Sequence, residues 1–387
     1  MQRATCLAVV TSSLIACGLA STATAQCGVG DVNGDSFVDS ADLGVVLGAW
    51  GGRGTLADLN SDDVVDAEDL SLLLGNWGPV TVQPGAFPAE WIWGNPNCGA
   101  DPQIQVHQYN ENTFILRQSL CTNFEGPFIY LLFGQSKVLM EDTGASNIAL
   151  YDTVKSIIDQ WLVVHNQPSI QLVVSHSHAH GDHIFNDSQF VGKPNVTVVG
   201  TGVTAVQSFF GFTAWPTQIV NYDLGGRVVQ VIPIPGHHPA HIAFYDEATG
   251  FLLTGDTLYP GRLYISSWPS YKASIQRLVD FTATKTLCWV MGTHIEMRDV
   301  PGQDFPVGST SHPNEHALQL TRDHLLELNS ACIALGNTPV YQVHDDFIIF
   351  PFTLAQNDGT SPRAPDGACC ARPADVFAYR KLRESAK

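Results

Sequence analysis

Residues 172–186, LVVSHSHAHGDHIFN, join an apolar run to a dense cluster of metal-binding side chains. The apolar residues at the start are typical of the end of a buried β-strand. The spacing H-x-H-x-D-H follows directly, at His178, His180, Asp182 and His183. Neutral imidazole and carboxylate groups suit zinc and iron. This stretch therefore predicts a strand followed by a metal-binding loop.

Three more ligand-type residues, His237, Asp256 and His294, each follow an apolar run further along the chain. Loops at the strand ends of an α/β sandwich meet at one rim, so we expect these residues to lie together. A site for two metal ions needs a bridging donor as well as terminal ones. We expect two zinc ions, with iron as the other possible metal. The predicted first site is His178, His180 and His237, the second is Asp182, His183 and His294, and Asp256 lies between them.

The predicted chemistry is hydrolysis by a hydroxide that bridges two metal ions. Such a hydroxide is available near neutral pH, because metal binding lowers the pKa of water from ~15.7 towards ~7. Its target is a small-molecule ester, thioester, lactone or phosphoester. Asp182 is the predicted catalytic residue, which orients the nucleophile and moves its proton. His241 either reaches the substrate or supports a ligand.

These motifs, with the E-D-T-G turn at 141–144 and T-G-D at 254–256, resemble the metallo-β-lactamase superfamily over residues 101–356. The resemblance implies an α/β fold, a four-layer αβ/βα sandwich with the metals at one edge of the two sheets. The pattern is most similar to glyoxalase II-like members. Asp256 stands where the cysteine-ligated β-lactamases have a cysteine, which argues against β-lactam hydrolysis. The ligand set that the resemblance implies is His178, His180, Asp182, His183, His237, Asp256 and His294.

Two other functions stay open. Sulfur dioxygenases of the same superfamily have a similar pattern but bind one iron through a subset of these residues. A non-catalytic surface-binding protein is the third possibility, although the intact ligand set argues against it. Metal analysis separates the first two, and a His180→Ala variant tests the third.

An internal repeat precedes this region: DVNGDSFVDSADLGVVLGAWG at 31–51 and DLNSDDVVDAEDLSLLLGNWG at 58–78. The two copies align without an insertion or deletion. Oxygen-bearing side chains recur at positions 1, 3, 5, 9 and 12 of each loop, which is the spacing of a twelve-residue calcium loop. Packed carboxylates repel one another unless a divalent ion lies between them. We therefore expect two Ca²⁺ ions. Their predicted ligands are Asp31, Asn33, Asp35, Asp39 and Asp42, and Asp58, Asn60, Asp62, Asp66 and Asp69.

Each loop is followed by a short apolar segment, at 43–50 and 70–77, predicted to form a short helix. The module resembles a type I dockerin, the duplicated calcium module that docks onto a cohesin. The resemblance implies a small all-α calcium-binding domain and a cohesin-like partner for residues 27–79. Ser36 and Asp63 stand at loop position 6, where EF-type loops carry glycine.

Residues 1–25 have the pattern of a secretory signal peptide, with an early Arg3, an apolar stretch and small residues before Gln26. We therefore expect a secreted, cell-surface or periplasmic protein, anchored to a membrane only if Cys17 is lipidated. Removal of this segment leaves seven cysteines, so at least one thiol is unpaired or intermolecular. The predicted domains are a signal peptide (1–25), a dockerin-like module (26–79), a linker (80–100), a hydrolase domain (101–356) and a tail (357–387).

The net charge of the chain restricts the kinds of ligand that it can bind. The chain has 387 residues with 19 basic and 37 acidic side chains, a net charge of −18. This charge repels phosphate backbones and argues against nucleic acid as a ligand.

Residues 312–336 are predicted to form an amphipathic helix over a sheet, with His312 and His316 exposed near its start. The residues that follow Asp256 form either a pocket entrance or a solvated loop: Tyr259, Arg262, Tyr264, Tyr271 and Lys272.

Overall fold

The computed structural model describes residues 30–33, 37–53, 55, 57–60, 64–79 and 82–352. The predicted signal peptide and C-terminal tail lie outside these described residues, as do Asp35 and Asp62 of the predicted calcium loops. Within the described part of the chain, no helix combines the length and the apolar character needed to cross a bilayer.

The described residues form seventeen strands, eight α-helices and a 3₁₀ turn at Cys98–Ala100. The strands are β1 (Phe37–Val38), β2 (Gly78–Pro79), β3 (Ile104–Asn110), β4 (Thr113–Gln118), β5 (Phe128–Phe133), β6 (Lys137–Glu141), β7 (Gln171–Ser175), β8 (Val196–Val198), β9 (Val220–Asp223), β10 (Val228–Pro233), β11 (Ile242–Asp246), β12 (Phe251–Gly255), β13 (Arg262–Ile265), β14 (Trp289–Gly292), β15 (Gln319–Leu320), β16 (Gln342–Val343) and β17 (Ile348–Pro351). The helices are α1 (Ser40–Gly48), α2 (Ala67–Gly75), α3 (Leu150–Val164), α4 (Gly181–Ile184), α5 (Asp187–Phe190), α6 (Val203–Phe210), α7 (Trp268–Thr282) and α8 (Arg322–Leu335).

Two six-stranded sheets form the centre of the fold. The first has the order β3-β4-β5-β6-β7-β8, and the second has the order β15-β14-β12-β11-β10-β9. Strands β6 and β7 are parallel, and so are β12 and β14. A smaller sheet, β13-β17-β16, accompanies them, and β1 pairs with β2.

Alternation along β5 shows how the layers pack. Phe128, Tyr130 and Leu132 belong to a core cluster that also contains residues of the second sheet. Ile129 and Leu131 lie in a separate cluster with residues of helix α3. Successive side chains of a strand point to opposite faces, so one strand contributes to both layers. Both faces of this sheet are therefore buried.

Helices cover the outer face of each sheet. Leu150, Val154, Ile157 and Trp161 of α3 pack on the first sheet, with the spacing of one helical face. Residues of α7 and α8 pack together with the second sheet. The layers follow the order helix, sheet, sheet, helix, which confirms the predicted mixed α/β sandwich.

The prediction of one helix over 312–336 is wrong at its start. Helix α8 begins at Arg322, because Thr321 caps it and the His324 side chain closes the capping box. The residues before it include strand β15, which pairs with β14. Residues 319–320 thus pair in a sheet where a helix was predicted.

The two copies of the repeat fold alike in the described residues. Helices α1 and α2 begin three residues before the predicted apolar segments, because Asp39 and Asp66 cap them. Asp42 and Asp69 are fully buried, and each accepts hydrogen bonds from backbone N–H groups of its own loop. The β1–β2 pair adds a short strand ladder to a module predicted to be all-α.

Part of the segment between the repeat and the first sheet packs on the sandwich. Trp91 is buried in the cluster between the two sheets, and Phe87 packs against that cluster. The backbone N–H of Gln83 donates to the carbonyl of Ala248. Residues 82–91 therefore contact the sandwich at several points.

Candidate metal centre

The site is built at the carboxyl ends of strands from both large sheets. Strand β7 leads into the loop and short helix α4 that carry the H-x-H-x-D-H motif. His237, Asp256 and His294 follow β10, β12 and β14. The structure brings all seven predicted residues together, in two groups of donor atoms that lie within 4.8 Å of one another in each group.

The first donor group consists of three imidazole nitrogens and one carboxylate oxygen. Nε2 of His178 lies 2.8 Å from Nδ1 of His180 and 3.1 Å from Nε2 of His237. Oδ2 of Asp256 lies 3.4 Å from Nε2 of His237 and 3.7 Å from Nε2 of His178. Four donors therefore surround one point.

The second donor group uses the other oxygen of the same aspartate. Oδ1 of Asp256 lies 3.4 Å from Nε2 of His183 and 3.2 Å from Nε2 of His294. Oδ2 of Asp182 lies 3.4 Å and 3.5 Å from the same two nitrogens. Asp256 thus joins the two groups, with one oxygen directed to each.

The donor sets fit divalent ions. Donors held at ~2.0–2.2 Å from a tetrahedral zinc ion lie about 3.3–3.6 Å from one another, which is close to the separations of 3.2–3.5 Å in the second group. Nε2 of His183 and Nε2 of His294 are buried and have no hydrogen-bond partner. Buried polar atoms left in this way usually have an ion, a water or a function to explain them. Both atoms belong to the second donor group, where a cation would satisfy them.

For three of the histidines, a hydrogen bond on the far side of the ring sets which nitrogen faces the centre. Nδ1 of His237 donates to the carbonyl of Tyr264, and Nδ1 of His294 donates to the carbonyl of Glu125. Nδ1 of His183 lies 2.7 Å from Oδ2 of Asp142. Such bonds fix the tautomer that leaves Nε2 with a lone pair for a metal.

The charges at the site suit cations. Burial raises the pKa of Asp256, but His183 and His294 outweigh this and hold the pKa well below its usual value. Burial also lowers the pKa of His183, yet Asp142 and Asp256 raise it well above the usual value. Burial and the neighbouring imidazoles keep the pKa of His178 well below its usual value. The Asp256 carboxylate is therefore ionised and favours positive charge beside it, which a metal ion supplies as well as a proton does.

Asp142 and Ser177 are site residues that the sequence did not identify as such. Asp142 adopts a left-handed backbone conformation with φ of 69° directly after β6. Its carboxylate accepts hydrogen bonds from the backbone N–H and the hydroxyl of Ser177. The Ser177 hydroxyl also lies 3.1 Å from Nδ1 of His178. The available signal was the position of the D-T-G turn at the end of a strand beside β7.

His241 supports the predicted ligand His178 by packing against its ring. It is fully buried, and its ring stacks on that of His178 with 4.7 Å between centroids. A Cβ atom on Gly255, whose φ is +51°, would lie 2.6 Å from Nε2 of His241. The geometry favours the supporting role over contact with substrate.

Other predicted positions differ from expectation. His312 was expected to be exposed and is buried, because its ring stacks on Phe305 and its Nδ1 donates to the carbonyl of Ile295. His316 is partly buried and pairs with Asp346. Exposure was therefore the wrong prediction for His312.

The segment after Asp256 is not a solvated loop. Tyr259, Tyr264 and Tyr271 are buried, and Arg262 begins strand β13. The Arg262 guanidinium pairs with Glu296 and Asp304 and lines a cleft that also contains Glu125 and His312. The arginine is thus held by two carboxylates.

Known proteins are similar to the part of the chain that carries this site. Residues 124–294 match the model of the metallo-beta-lactamase superfamily. Hydroxyacylglutathione hydrolase of Yersinia enterocolitica is 33% identical over 116 residues, which are 29% of this chain and 44% of that protein. Hydroxyacylglutathione hydrolase of Methylococcus capsulatus is 30% identical over 119 residues, 30% of this chain and 46% of that protein. The chain thus spans less than half the length of these curated relatives. These matches show that residues 124–294 of the chain are similar to the metallo-beta-lactamase superfamily.

A solved metallo-beta-lactamase from Pontibacter korlensis is also similar, at 15% identity, with 60% of this chain and 99% of that chain covered and a TM-score of 0.41.

Proposed function

We propose that the protein is an exported hydrolase with two metal ions, zinc in the first instance, which acts on a small-molecule ester, thioester, lactone or phosphoester. The observation that carries this proposal is the position of Asp256, whose two oxygens face two separate donor groups. A bridging carboxylate is what a two-metal site requires.

The side chains have separate tasks in this proposal. The first donor group would hold one ion, and the second would hold the other. When bound, such ions supply an activated water at neutral pH and positive charge for a developing oxyanion. Asp182 is only 6% exposed and faces His183 and His294, so it orients a nucleophile beside them and accepts its proton.

The substrate class follows from two further considerations. The relatives are named hydroxyacylglutathione hydrolases, and this chain matches less than half of each. An exported enzyme would meet few glutathione thioesters, because that pool is intracellular. Within the proposed range, a lactone, an ester or a phosphoester is therefore a better candidate substrate than a thioester.

The experiment combines metal counting with a substrate panel. The purified chain is analysed for zinc and iron, and then assayed with esters, thioesters, lactones, β-lactams and phosphodiesters. We expect two zinc ions per chain and hydrolysis of one class. His180→Ala should abolish that hydrolysis, whereas the control His165→Ala, at the end of helix α3, should retain it. One iron per chain with oxygen uptake would favour a dioxygenase instead. Full activity of His180→Ala would favour the binding-protein alternative.

Export is supported by the disulfide between Cys98 and Cys121, because such bonds persist in oxidising compartments. Cys332 is a buried free cysteine, in keeping with an odd number of thiols. N-terminal sequencing of the protein from the extracellular or periplasmic fraction tests the proposal. The expected first residue is Gln26, and retention of residues 1–25 in the cytosol would contradict it.

For the N-terminal module we propose two calcium sites and docking to a cohesin-like protein. The matched burial of Asp42 and Asp69 supports one site in each copy. Four apolar side chains at matching positions are about half exposed, as expected of a docking face. These residues are Leu47, Trp50, Leu74 and Trp77.

Calcium titration of the full chain by calorimetry tests this second proposal. We expect two ions per chain, and one ion after Asp31→Ala or Asp58→Ala. Unchanged binding in both variants would contradict it. Cohesin binding should then require calcium and should weaken in a Trp50→Ala/Trp77→Ala variant.

A further inference from the structure

The loop between β4 and β5, residues 119–127, touches the segment that carries one predicted metal ligand. The carbonyl of Glu125 accepts the hydrogen bond from Nδ1 of His294, across 2.8 Å. Directly after the loop, the backbone N–H of Phe128 donates to the carbonyl of Thr293, also across 2.8 Å. The position of this loop therefore sets the orientation of the His294 ring.

A disulfide holds the loop. Cys121 lies within it and is bonded to Cys98, which begins the 3₁₀ turn 23 residues earlier in the chain. The segment that contains Cys98 is itself fixed, because the carbonyl of Trp93 accepts a hydrogen bond from the backbone N–H of His312. The covalent bond thus connects the loop to a second, independently held part of the sandwich.

Hydrogen bonds shape the loop locally. The backbone N–H of Thr122 donates to the carbonyl of Ser119, and that of Gly126 donates to Asn123. Gly126 has a φ of +47°, and a Cβ there would lie 2.6 Å from Cδ2 of Leu120. These contacts join residues of the same loop, whereas the disulfide joins the loop to the segment that contains Cys98.

The imidazoles of the first donor group are oriented by groups outside this loop. His237 donates to the Tyr264 carbonyl, and His178 contacts the Ser177 hydroxyl. A displacement of the loop should therefore affect the second donor group more than the first.

We infer that the Cys98–Cys121 disulfide positions His294, so that its removal weakens the binding of the second metal ion and spares the first. This inference rests on the proposed two-metal function. Loss of a hydrogen-bonding partner behind a ligand typically lowers metal affinity by about 10–100-fold. We expect about a tenfold loss here, because the carbonyl stays in the chain and only its position is released.

The test measures zinc affinity of the full chain by competition with a chromogenic chelator. The variant is Cys98→Ala/Cys121→Ala, and the control is Cys332→Ala, which removes a buried free thiol elsewhere. We expect the double variant to bind one zinc as tightly as the wild type and the second about tenfold more weakly. The control should bind both ions normally.

A second pair of variants tests the loop without breaking the disulfide. Gly126→Ala strains the loop, because φ of +47° disfavours a side chain there, and should also weaken the second ion selectively. Gly99→Ala, where an added Cβ meets nothing within 4 Å, should change neither ion.

Two results would overturn the inference. One is wild-type affinity for both ions in the double variant, whatever Gly126→Ala does. The other is the loss of both ions together, which would mean that the disulfide supports the whole fold. A wild-type chain that binds fewer than two zinc ions would instead contradict the proposed function.

Discussion

Oδ2 of Asp142 lies 2.7 Å from Nδ1 of His183, although 41 residues separate them in the chain. Strand β6 ends just before Asp142, and β6 runs parallel to β7, which leads to His183. The pairing of two neighbouring parallel strands therefore determines which nitrogen of His183 faces the second donor group.

Asp142→Asn should weaken the second metal ion. The amide can donate as well as accept, so the tautomer of His183 is no longer fixed, and affinity should fall about 10–100-fold. Zinc competition measures this. Asp187→Asn is the control, because Asp187 contacts His176 and Thr143 instead. Equal losses in both variants would contradict the role assigned to Asp142.

Gly255→Ala should disrupt the centre. Its φ of +51° and the 2.6 Å approach to both His241 and Ser177 leave no room for a methyl group. We expect a loss of about 1–3 kcal/mol in the free energy of unfolding, together with weaker metal binding. The control is Gly181→Ala within the ligand motif, where nothing lies within 4 Å. Urea unfolding of both variants measures this loss. A Gly255→Ala variant as stable as the wild type would contradict the prediction.

Glu141→Gln should stabilise the metal-free protein increasingly as the pH rises. Glu141 is buried, neither carboxyl oxygen has a hydrogen-bond partner, and burial with the nearby Asp142 raises its pKa well above the usual value. The unfolded chain releases this proton near pH 4.5, whereas the folded chain retains it, so wild-type stability falls above that pH. The variant should gain up to about 1.4 kcal/mol per pH unit, measured by urea unfolding in EDTA. A gain that is independent of pH would refute this.

His312→Gln should remove part of the acid sensitivity. Burial and the positive charge of Arg117 together lower the pKa of His312 to about 3. Between that value and about 6.5 the unfolded chain binds a proton that the folded chain does not, so stability is lost as the pH falls through this window. The stability of the variant relative to the wild type should therefore rise from pH 7 to pH 4. Parallel curves for the two proteins would exclude this titration.

The ligands were predictable because their signals are local. His178, His180, Asp182 and His183 stand within six residues, directly after an apolar strand. His237, Asp256 and His294 each follow a strand in the same way, so the topology of the sheets brings them to one place. Residue type and strand position were sufficient for this part of the site.

The supporting contacts were not predictable, because they depend on long-range packing. Glu125 acts on His294 through its backbone carbonyl, which any residue type offers. His312 is buried by its stacking on Phe305 although its neighbours in sequence are polar. Neither relation leaves a pattern in the local sequence.

The shared position of Asp256 is tested most directly by counting zinc in the wild-type chain and in Asp256→Ala, with folding monitored by circular dichroism. We expect two zinc ions per wild-type chain and weaker binding of both ions in a variant that remains folded. A folded variant that still binds two zinc ions with wild-type affinity, or a wild-type chain that binds none, would contradict it.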